Sequence, residues 1–236
     1  MSLRKYKKSL DYSYTLGVYP TLDLLNMRPE FVRSVILDPR SDANSGVIEI
    51  KKICDKNKIR YDYGNRPFKL LAVKDNTYAI GVFSKFDTKL EVDKNHVVLV
   101  NPINTGNVGT IIRSMLGFNV TNLALIKPCV DVFEPKIVRS AMGALFDINI
   151  EYFDTFDDYI KKFTNNNLYP FMLAGKTELS DTKFKAPFSL VFGTEGSGLD
   201  DKFQSENSVY IKQSNKIDSL NLAIAASIVL YKTTSN

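Results

Sequence analysis

The chain contains no tryptophan, one histidine and two cysteines among its 236 residues. Cys54 and Cys129 lie far apart and in no metal-type spacing, so we expect buried or free thiols in a reducing compartment. Because no cluster of Asp, Glu, His or Cys has ligand spacing, no metal site is expected. His96 lies at the start of an apolar run and outside any motif. We expect it to be structural, so general-base work would fall to a carboxylate, an arginine or a substrate group.

Long apolar runs are missing as well. No stretch is long and apolar enough to cross a bilayer. The basic N-terminus, residues 1–10, is not followed by the apolar segment of a signal peptide. We therefore expect no membrane partner and a cytoplasmic location.

Two common enzyme motifs are also absent. The full hydrolase elbow G-x-S-x-G does not occur, and the only histidine precedes Gly196-Ser197-Gly198. The dinucleotide fingerprint G-x-G-x-x-G is absent too, because the glycines at 193, 196 and 198 have a different spacing and occur late in the chain. A serine hydrolase and a Rossmann-type dehydrogenase are both disfavoured.

Positive charge is concentrated in the first part of the chain. The net charge is +5, yet residues 1–94 hold 18 Lys and Arg against 12 Asp and Glu, whereas residues 95–236 hold 13 against 14. A basic module joined to a near-neutral one indicates a polyanion-binding part beside a separate catalytic part. A solvated, lysine-rich surface explains the charge alone equally well.

Alternating helix-like and strand-like patterns predict an α/β protein of two modules. The polar segment 87–95 is the best linker candidate. In the first module the patterns predict a helix over 14–27, a strand over 31–37, a helix over 45–57, a short helix or extended piece over 67–73, and a strand over 77–83.

The second module alternates more regularly, which predicts a parallel sheet covered on both faces. Predicted strands are 96–100, 122–126, 148–153, 169–174, 188–192 and 208–211. Predicted helices are 109–116, 135–142, 155–163 and 219–231. The last helix carries almost no charge, so it should be buried on several sides.

Two stretches of the second module have the residue types of a ligand site. The turn 193–198 has three glycines, which let backbone amides approach a ligand, and one carboxylate, Glu195, after a predicted strand. On the helix after Gly109, Arg113 is the only charge in a stripe of small residues. Asn107 lies where that helix should begin, so it is also a candidate N-cap. We expect the glycine turn, the loop before the last helix and that helix to meet at one pocket.

Three blocks in order resemble the three motifs of the SpoU/TrmH branch of the SPOUT RNA methyltransferases. They are Asn107-Val-Gly-Thr-Ile-Ile-Arg113, Leu190-Val-Phe-Gly-Thr-Glu-Gly-Ser-Gly-Leu199, and the segment from Ile211 through Asp218-Ser-Leu-Asn-Leu-Ala-Ile-Ala226. The segment 138–145 is similar to one that the family carries between its first two motifs. The resemblance covers residues 95–234, and residues 1–90 more loosely resemble the basic L30e-like domain that often precedes this catalytic domain.

This resemblance implies a fold and a reaction. The fold is α/β: an L30e-like RNA substrate-binding domain over 1–90, then a SpoU-type domain over 95–236 with a parallel sheet and a deep trefoil knot. The reaction is methyl transfer from S-adenosylmethionine, without a metal, to a ribose 2′-hydroxyl in RNA. The family works as a homodimer whose active site draws on both subunits. The nearly uncharged last helix fits such a dimer, and a helix buried within one chain explains it equally well.

The family's functional residues carry over onto matching positions. Arg113 matches the arginine proposed to deprotonate or orient the 2′-hydroxyl. The candidate catalytic residues are Asn107, Arg113, Glu195, Ser219 and Asn221. The candidate cofactor-binding residues are Leu173, Ala174, Gly175, Phe192, Gly193, Gly196, Ile211, Gln213, Ser219 and Leu220. Taken singly, Ser219 could cap the last helix and Glu195 could brace its own turn.

The third motif departs from the family pattern at its start. The family has Ile-Pro-Met and then a glycine, where this chain has Ile211-Lys-Gln213 and then Ser214. We expect Lys212 and Gln213 to alter the contacts to the adenine edge and activity to be retained, because the Ser-Leu-Asn core at 219–221 is intact. The main interpretation is a ribosomal RNA 2′-O-methyltransferase. A transfer RNA 2′-O-methyltransferase, a non-catalytic RNA-binding protein of the same fold, and a nucleotide-binding oxidoreductase are the alternatives.

Overall fold

The computed structural model describes residues 3–71 and 76–234. The chain divides into two compact units. The first comprises the chain up to Phe86 together with Asp131–Asp147, and the second comprises Asp87–Val130 and the chain from Ile148 onward.

Strands and helices alternate along most of the described chain. The strands are β1 (Tyr12–Leu16), β2 (Val32–Leu37), β3 (Tyr61–Tyr63), β4 (Ala79–Ser84), β5 (His96–Val100), β6 (Asn122–Ile126), β7 (Asn149–Phe153), β8 (Asn167–Pro170), β9 (Thr177–Glu178), β10 (Phe188–Phe192) and β11 (Val209–Tyr210). The helices are α1 (Val18–Met27), α2 (Ser45–Asn57), α3 (Arg66–Leu70), α4 (Thr105–Gly117), α5 (Pro135–Ser140), α6 (Phe156–Lys162) and α7 (Leu222–Thr234).

The first unit is built on a four-stranded sheet in the order β1-β4-β2-β3. β4 is antiparallel to β1 and β2, and β3 is parallel to β2. Side chains alternate between the two faces of a strand. On β2, Val35 and Leu37 therefore pack in a cluster with residues of α1 and α2, whereas Ile36 packs in a second cluster with Phe68 of α3.

The helix predicted over 14–27 is wrong in its first residues. Tyr14 lies in β1 and pairs with Val82 of β4, so sheet pairing overrides the helical spacing of the apolar residues. Gly17 then adopts φ 128°, a conformation that other residues rarely adopt, and α1 follows it. The prediction over 67–73 is confirmed as a helix up to Leu70, and its residues 72–73 lie outside the described chain.

The segment Asp131–Asp147 falls inside the predicted second domain, yet it packs with the first unit. The Ser13 hydroxyl donates to the Phe133 carbonyl. The rings of Phe133 and Phe146 contact Phe83 edge-on, with centroids 6.1 and 5.4 Å away. Buried aromatic packing thus joins residues that are distant in the sequence.

The second unit contains a five-stranded sheet in the order β7-β6-β5-β10-β8. Each neighbouring pair is parallel, which confirms the predicted parallel sheet. From β5 the chain continues to β6 and β7 on one side, and it later fills the other side with β8 and β10. The carboxyl ends of β5 and β10 are therefore the topological switch point, where open α/β sheets bind ligands.

Two helix starts differ from the predictions. The N-cap of α4 is Asn104, whose Oδ1 accepts from the amides of Gly106 and Asn107, so Asn107 lies inside the first turn. The last helix begins at Leu222 rather than at residue 219. Asn221 caps it, because its Oδ1 accepts from the Ala223 amide at 2.9 Å, and Ser219 is not the cap.

The chain buries one side of α7 and leaves another side exposed. Ala226 and Val229 are fully buried, whereas Ile224, Ile228 and Tyr231 are 52%, 38% and 62% exposed. The explanation that this helix is buried entirely within one chain is therefore wrong. Within residues 3–71 and 76–234, no helix has the length and apolar character needed to span a membrane.

Candidate functional site

A cavity of about 370 Å³ lies at the carboxyl end of β10. Its wall comes from three segments that are distant in the sequence: residues 171–174 after β8, the glycine turn after β10, and the segment from 209 to the first turn of α7. This volume falls within the range of small-molecule sites. The predicted convergence of the turn, the loop and the last helix is therefore observed.

The glycine turn is closed by its own backbone. The amide of Thr194 donates to the Gly198 carbonyl and the amide of Gly198 to the Thr194 carbonyl, both at 3.1 Å. A Cβ at Gly193 would lie 2.0 Å from the Gly198 carbonyl carbon, whereas a Cβ at Gly196 would meet nothing within 4 Å. A glycine is thus required at position 193 by the close approach of two backbone segments, whereas position 196 has room for a side chain.

Glu195 connects the turn to the start of α4. Its carboxylate accepts hydrogen bonds from the Asn104 amide at 3.1 Å and from Asn107 Nδ2 at 3.3 Å, with the Ile103 amide at 3.5 Å. Glu195 also lines the cavity. The carboxylate therefore joins the carboxyl ends of β5 and β10 at the switch point.

Asn107 extends this connection to the last helix. Its Oδ1 accepts from Asn221 Nδ2 at 3.0 Å, and Asn221 in turn caps α7. The three motifs that lie far apart in the sequence are thus joined by one chain of hydrogen bonds through Glu195, Asn107 and Asn221. Neither asparagine lines the cavity.

Arg113 lies on the exposed side of α4. The opposite side of the helix, with Ile111, Ile112 and Met115, is fully buried. Toward the described residues the guanidinium makes no hydrogen bond or ion pair, and Arg113 does not line the cavity. The structure therefore presents this cation to solvent, with Thr110 and Gly117 beside it on the same exposed stripe.

Nine of the ten candidate cofactor residues line the cavity. They are Leu173, Ala174, Phe192, Gly193, Gly196, Ile211, Gln213, Ser219 and Leu220. Gly175 does not, and a Cβ there would lie 2.4 Å from the Val209 carbonyl carbon. A glycine is required at position 175 because the chain there passes close to the backbone of β11. Gly175 therefore contributes to packing beside the cavity.

The two residues that depart from the family pattern at the start of the third motif, Lys212 and Gln213, lie in different surroundings. Gln213 lines the cavity, and its Nε2 donates to the Asp218 carbonyl at 3.2 Å, which closes the loop between them. Lys212 does not line the cavity, and its ammonium lies 3.7 Å from the Glu178 carboxylate. Only Gln213 is therefore placed to contact a bound ligand.

Sequence reasoning missed residues that shape the site. Asn104 caps α4 and gives its amide to Glu195, and the pattern of an asparagine before Thr-Gly could have indicated it. The Phe171 ring stacks on Phe192 with centroids 4.8 Å apart and an interplanar angle of 12°. No local pattern places Phe171 there, because β8 and β10 meet only in the folded sheet.

His96 lies at the opposite end of the sheet and is structural, as predicted. Its Nε2 contacts the Glu91 carbonyl at 2.9 Å, so this nitrogen carries the proton and Nδ1 accepts from the Tyr159 hydroxyl at 2.8 Å. Burial lowers the pKa of His96 below its ordinary value, although the Glu91 carbonyl opposes this. Within the described residues no group of three His, Cys, Asp or Glu side chains is arranged to hold a metal ion.

The lining of the cavity combines apolar and polar groups. Its wall combines the aromatic rings of Phe171 and Phe192 with backbone at the glycine turn and with the hydroxyl-bearing Ser219. Such sites hold a ligand through apolar contact and fix it with a few polar groups. An α/β unit with a motif-lined cavity at its switch point is the architecture of a nucleotide- or cofactor-binding transferase or oxidoreductase.

The sequence comparisons define this class more narrowly. The profile of the SpoU rRNA Methylase family matches residues 94–231, more than half of the chain. This chain therefore belongs to the SpoU rRNA methylase family.

Relatives with named activities are about 30% identical to this chain. A putative tRNA (cytidine(34)-2′-O)-methyltransferase of Listeria innocua is 30% identical over 145 residues, which cover 58% of this chain and 85% of that protein. A 23S rRNA (uridine(2479)-2′-O)-methyltransferase of Streptomyces viridochromogenes is 30% identical over 146 residues, 58% of this chain and 50% of that protein. An uncharacterized tRNA/rRNA methyltransferase of Synechocystis is 30% identical over 133 residues, 54% of this chain and 48% of that protein, so this chain spans about half of that relative's length.

Solved structures share the fold over nearly the whole chain. The SpoU methyltransferase AviRb of Streptomyces viridochromogenes, in complex with AdoMet, superposes with a TM-score of 0.80 at 22% identity, over 95% of this chain and 90% of that one. An AdoMet-bound rRNA methyltransferase of Sinorhizobium meliloti has a TM-score of 0.79 at 21% identity, over 94% and 86% of the two chains. At these identities the likeness establishes the fold alone.

Proposed function

We propose that this protein transfers a methyl group from S-adenosylmethionine to a ribose 2′-hydroxyl of RNA, with ribosomal RNA as the substrate. The observation that carries the proposal is the convergence of the three family motifs on one cavity. Residues 193–199 line it together with Ile211, Gln213 and residues 218–220, and Asn104 and Asn107 are joined to it through Glu195.

Each group of residues has a distinct part in this proposal. S-Adenosylmethionine supplies a preformed electrophile, so the protein has to align oxygen, methyl and sulfur. Phe192, the glycine turn and the 211–220 segment would hold the donor. Glu195, Asn107 and Asn221 would fix these segments against one another, and Ser219 would present its hydroxyl inside the cavity. Arg113 would orient the 2′-hydroxyl and stabilise its oxygen while the hydroxyl proton passes to solvent water.

The proposal is tested first by cofactor binding and methyl transfer. Isothermal titration with S-adenosylmethionine should give one site per chain, and labelled methyl should pass to RNA. Binding of RNA without heat from S-adenosylmethionine would favour the non-catalytic protein of the same fold. Binding of a nicotinamide dinucleotide with indifference to RNA would favour the oxidoreductase.

Ribosomal RNA is preferred over transfer RNA because of the first unit. The tRNA (cytidine(34)-2′-O)-methyltransferase of Listeria innocua aligns with only 58% of this chain, although the alignment covers 85% of that protein. The alignment with the 23S rRNA (uridine(2479)-2′-O)-methyltransferase of Streptomyces viridochromogenes covers only 50% of that protein, so that relative, like this chain, extends beyond the matched part. Methyl transfer to purified transfer RNA and not to ribosomal RNA would reverse this preference.

We further propose a homodimer in which Arg113 completes the site of the partner subunit. Ile224, Ile228 and Tyr231 follow one another by four and three residues, so they form a single exposed stripe on α7. α7 is joined to α4 by the hydroxyls of Ser114 and Ser227 at 2.8 Å. A second copy covering this stripe would lie beside the helix that carries Arg113.

Subunit complementation tests this arrangement. Arg113→Ala and Gly193→Ala each damage a different part of the site. If the arginine acts across the dimer, mixed dimers regain one complete site and therefore activity. If both parts act within one subunit, mixed dimers stay inactive.

The remaining features of the family fold also belong to this proposal. The first unit would be an L30e-like RNA-binding domain, and the four-stranded sheet between α1, α2 and α3 supports this. The second unit would carry a deep trefoil knot. Pulling the unfolded chain from both ends would leave a knotted chain shorter than its full contour, whereas an unknotted chain would extend fully. A cytoplasmic location fits a substrate that is RNA.

A further inference from the structure

The first unit has one sheet face whose covering segments carry only positive charge. That face is the side of β2 on which Ile36 lies, and it packs against Phe68 of α3 and against Leu3, Tyr6 and Leu10 of the N-terminal arm, residues 3–10. The other face is covered by α1 and α2. The arm and α3 thus form one outer surface of the sheet.

The arm is held on the sheet by its own contacts. Leu3, Tyr6 and Leu10 recur at spacings of three and four residues and are partly buried. The Tyr14 hydroxyl donates to the Arg4 carbonyl at 2.5 Å, and the Lys85 ammonium donates to the Lys8 carbonyl at 2.9 Å. The arm is therefore a fixed scaffold, although its sequence resembles a basic tail.

Six cations of this surface are exposed. They are Arg4, Lys5, Lys7 and Lys8 on the arm and Arg66 and Lys69 on α3. Toward the described residues none of them makes an ion pair or a side-chain hydrogen bond. Residues 3–10 and α3 contain no carboxylate, and Asp131, which accepts from the Tyr6 hydroxyl of the arm, is itself paired with Lys85.

The opposite face has a different charge pattern. On α2, Lys52 lies 3.8 Å from Glu49, and Lys51 lies 3.3 Å from Asp42. Asp55 adds another carboxylate to α2. Positive charge there is largely balanced within the unit, so that face would attract a polyanion only weakly.

We propose that the arm and α3 form the surface on which the first unit binds the phosphate backbone of RNA. This rests on the proposed function and names the face that contacts the substrate. Cations on a preorganised scaffold lose less conformational entropy on binding than cations on a loose tail. Each phosphate contact releases bound counterions, so affinity should fall steeply with salt.

Two matched variants test the proposal. In the arm variant Lys5, Lys7 and Lys8 are each replaced by Gln, which keeps the backbone hydrogen bonds of the arm. In the control Lys52, Lys56 and Lys58 on the α2 side are replaced by Gln, which removes the same charge. Binding of purified ribosomal RNA is measured against salt concentration for wild type and both variants.

We expect the arm variant to bind RNA roughly tenfold or more weakly, with the slope of log affinity against log salt reduced by about two to three. In the control, the affinity for RNA and the salt slope should both stay close to the wild-type values. Arg66→Gln combined with Lys69→Gln should reduce the slope by about two in an otherwise intact arm. Equal losses in the arm variant and the control would overturn the proposal, as would arm-dependent binding to phosphatidylserine vesicles with RNA binding unaffected.

Failure of this inference can be separated from failure of the proposed function. A wild-type protein that binds S-adenosylmethionine and methylates RNA, with an arm variant that binds RNA like the control, contradicts the inference alone. A wild-type protein that binds no S-adenosylmethionine contradicts the proposed function, and the salt comparison still decides which face holds RNA.

Discussion

The two ends of the five-stranded parallel sheet use polar side chains in opposite ways. At the amino ends, His96, Tyr159 and Ser189 are buried and form one hydrogen-bonded chain, in which the Tyr159 hydroxyl contacts His96 Nδ1 at 2.8 Å and the Ser189 hydroxyl at 2.5 Å. At the carboxyl ends lies the cavity, and α4, which begins there, carries Arg113 exposed and without a hydrogen bond or ion pair among the described residues.

We infer that the amino ends of the sheet contribute mainly to stability and that the carboxyl ends carry the chemistry. A buried polar network in which every group is satisfied contributes rigidity and leaves nothing free for a ligand. At the other end, hydrogen bonds through Glu195 hold the loops while backbone and an arginine remain available. Substitutions at the carboxyl ends should therefore lower turnover, and substitutions at the amino ends should lower the free energy of unfolding.

The largest expected effect is that of Arg113→Ala. Loss of the guanidinium should lower turnover about a hundredfold or more, because the 2′-hydroxyl oxygen loses the cation that orients it and stabilises it as its proton leaves. Cofactor affinity and the free energy of unfolding should change little, since the exposed side chain makes no hydrogen bond or ion pair with the described residues. Lys161→Ala, which removes an exposed cation of α6, is the control. Unchanged turnover in the Arg113 variant would remove its assigned role.

The next comparison is made within the glycine turn. Gly193→Ala places a Cβ about 2.0 Å from the Gly198 backbone, whereas Gly196→Ala meets nothing within 4 Å. We expect Gly193→Ala to weaken S-adenosylmethionine binding roughly tenfold or more, and overpacking should cost about 1–3 kcal/mol of stability. Titration calorimetry and urea unfolding measure both. Equal affinities for the two variants would show that the turn does not form the cofactor site.

At the amino ends, Tyr159→Phe should change stability alone. Removing the hydroxyl leaves His96 Nδ1 and the Ser189 hydroxyl without their partner in a buried place, which should cost about 1–3 kcal/mol. Urea unfolding measures the loss, and Tyr19→Phe, at a tyrosine 73% exposed, is the control. A fall in turnover of the folded enzyme would contradict the separation between the two ends.

The smallest expected effect is a pH dependence from His96. Because burial lowers the pKa of His96, the folded protein binds fewer protons than the unfolded chain once the pH falls below about 6.5. The stability that neutral His96 contributes is present above that pH, and it is lost as the pH falls toward the lowered folded pKa. His96→Gln should flatten the curve of unfolding free energy against pH between neutral pH and pH 5. A wild-type curve that rises on acidification would contradict this assignment.

Strongly periodic or buried elements could be predicted from the sequence. α2 matches its predicted limits of 45–57, and β5, β6 and β10 match theirs. These elements are specified by local apolar patterns. The predicted convergence on a cavity was also correct, because glycines, a carboxylate and an apolar helix each have a local signature.

Other features depend on contacts between distant residues. Tyr14 to Leu16 read as helical, but they pair with β4. Asn104 rather than Asn107 caps α4, and which of two asparagines caps a helix is set by loop geometry. The segment 131–147 joined the first unit because its phenylalanines pack on Phe83, and nothing in its own pattern indicates that partner.

The most direct test of the central claim is the chemical position of the transferred methyl group. RNA methylated with labelled S-adenosylmethionine is hydrolysed with alkali, which cannot cleave next to a 2′-O-methylated ribose. We predict that the label appears in alkali-resistant dinucleotides and that Arg113→Ala lowers this label about a hundredfold or more. Label recovered in ordinary mononucleotides would place the methyl on a base and would contradict the proposed reaction.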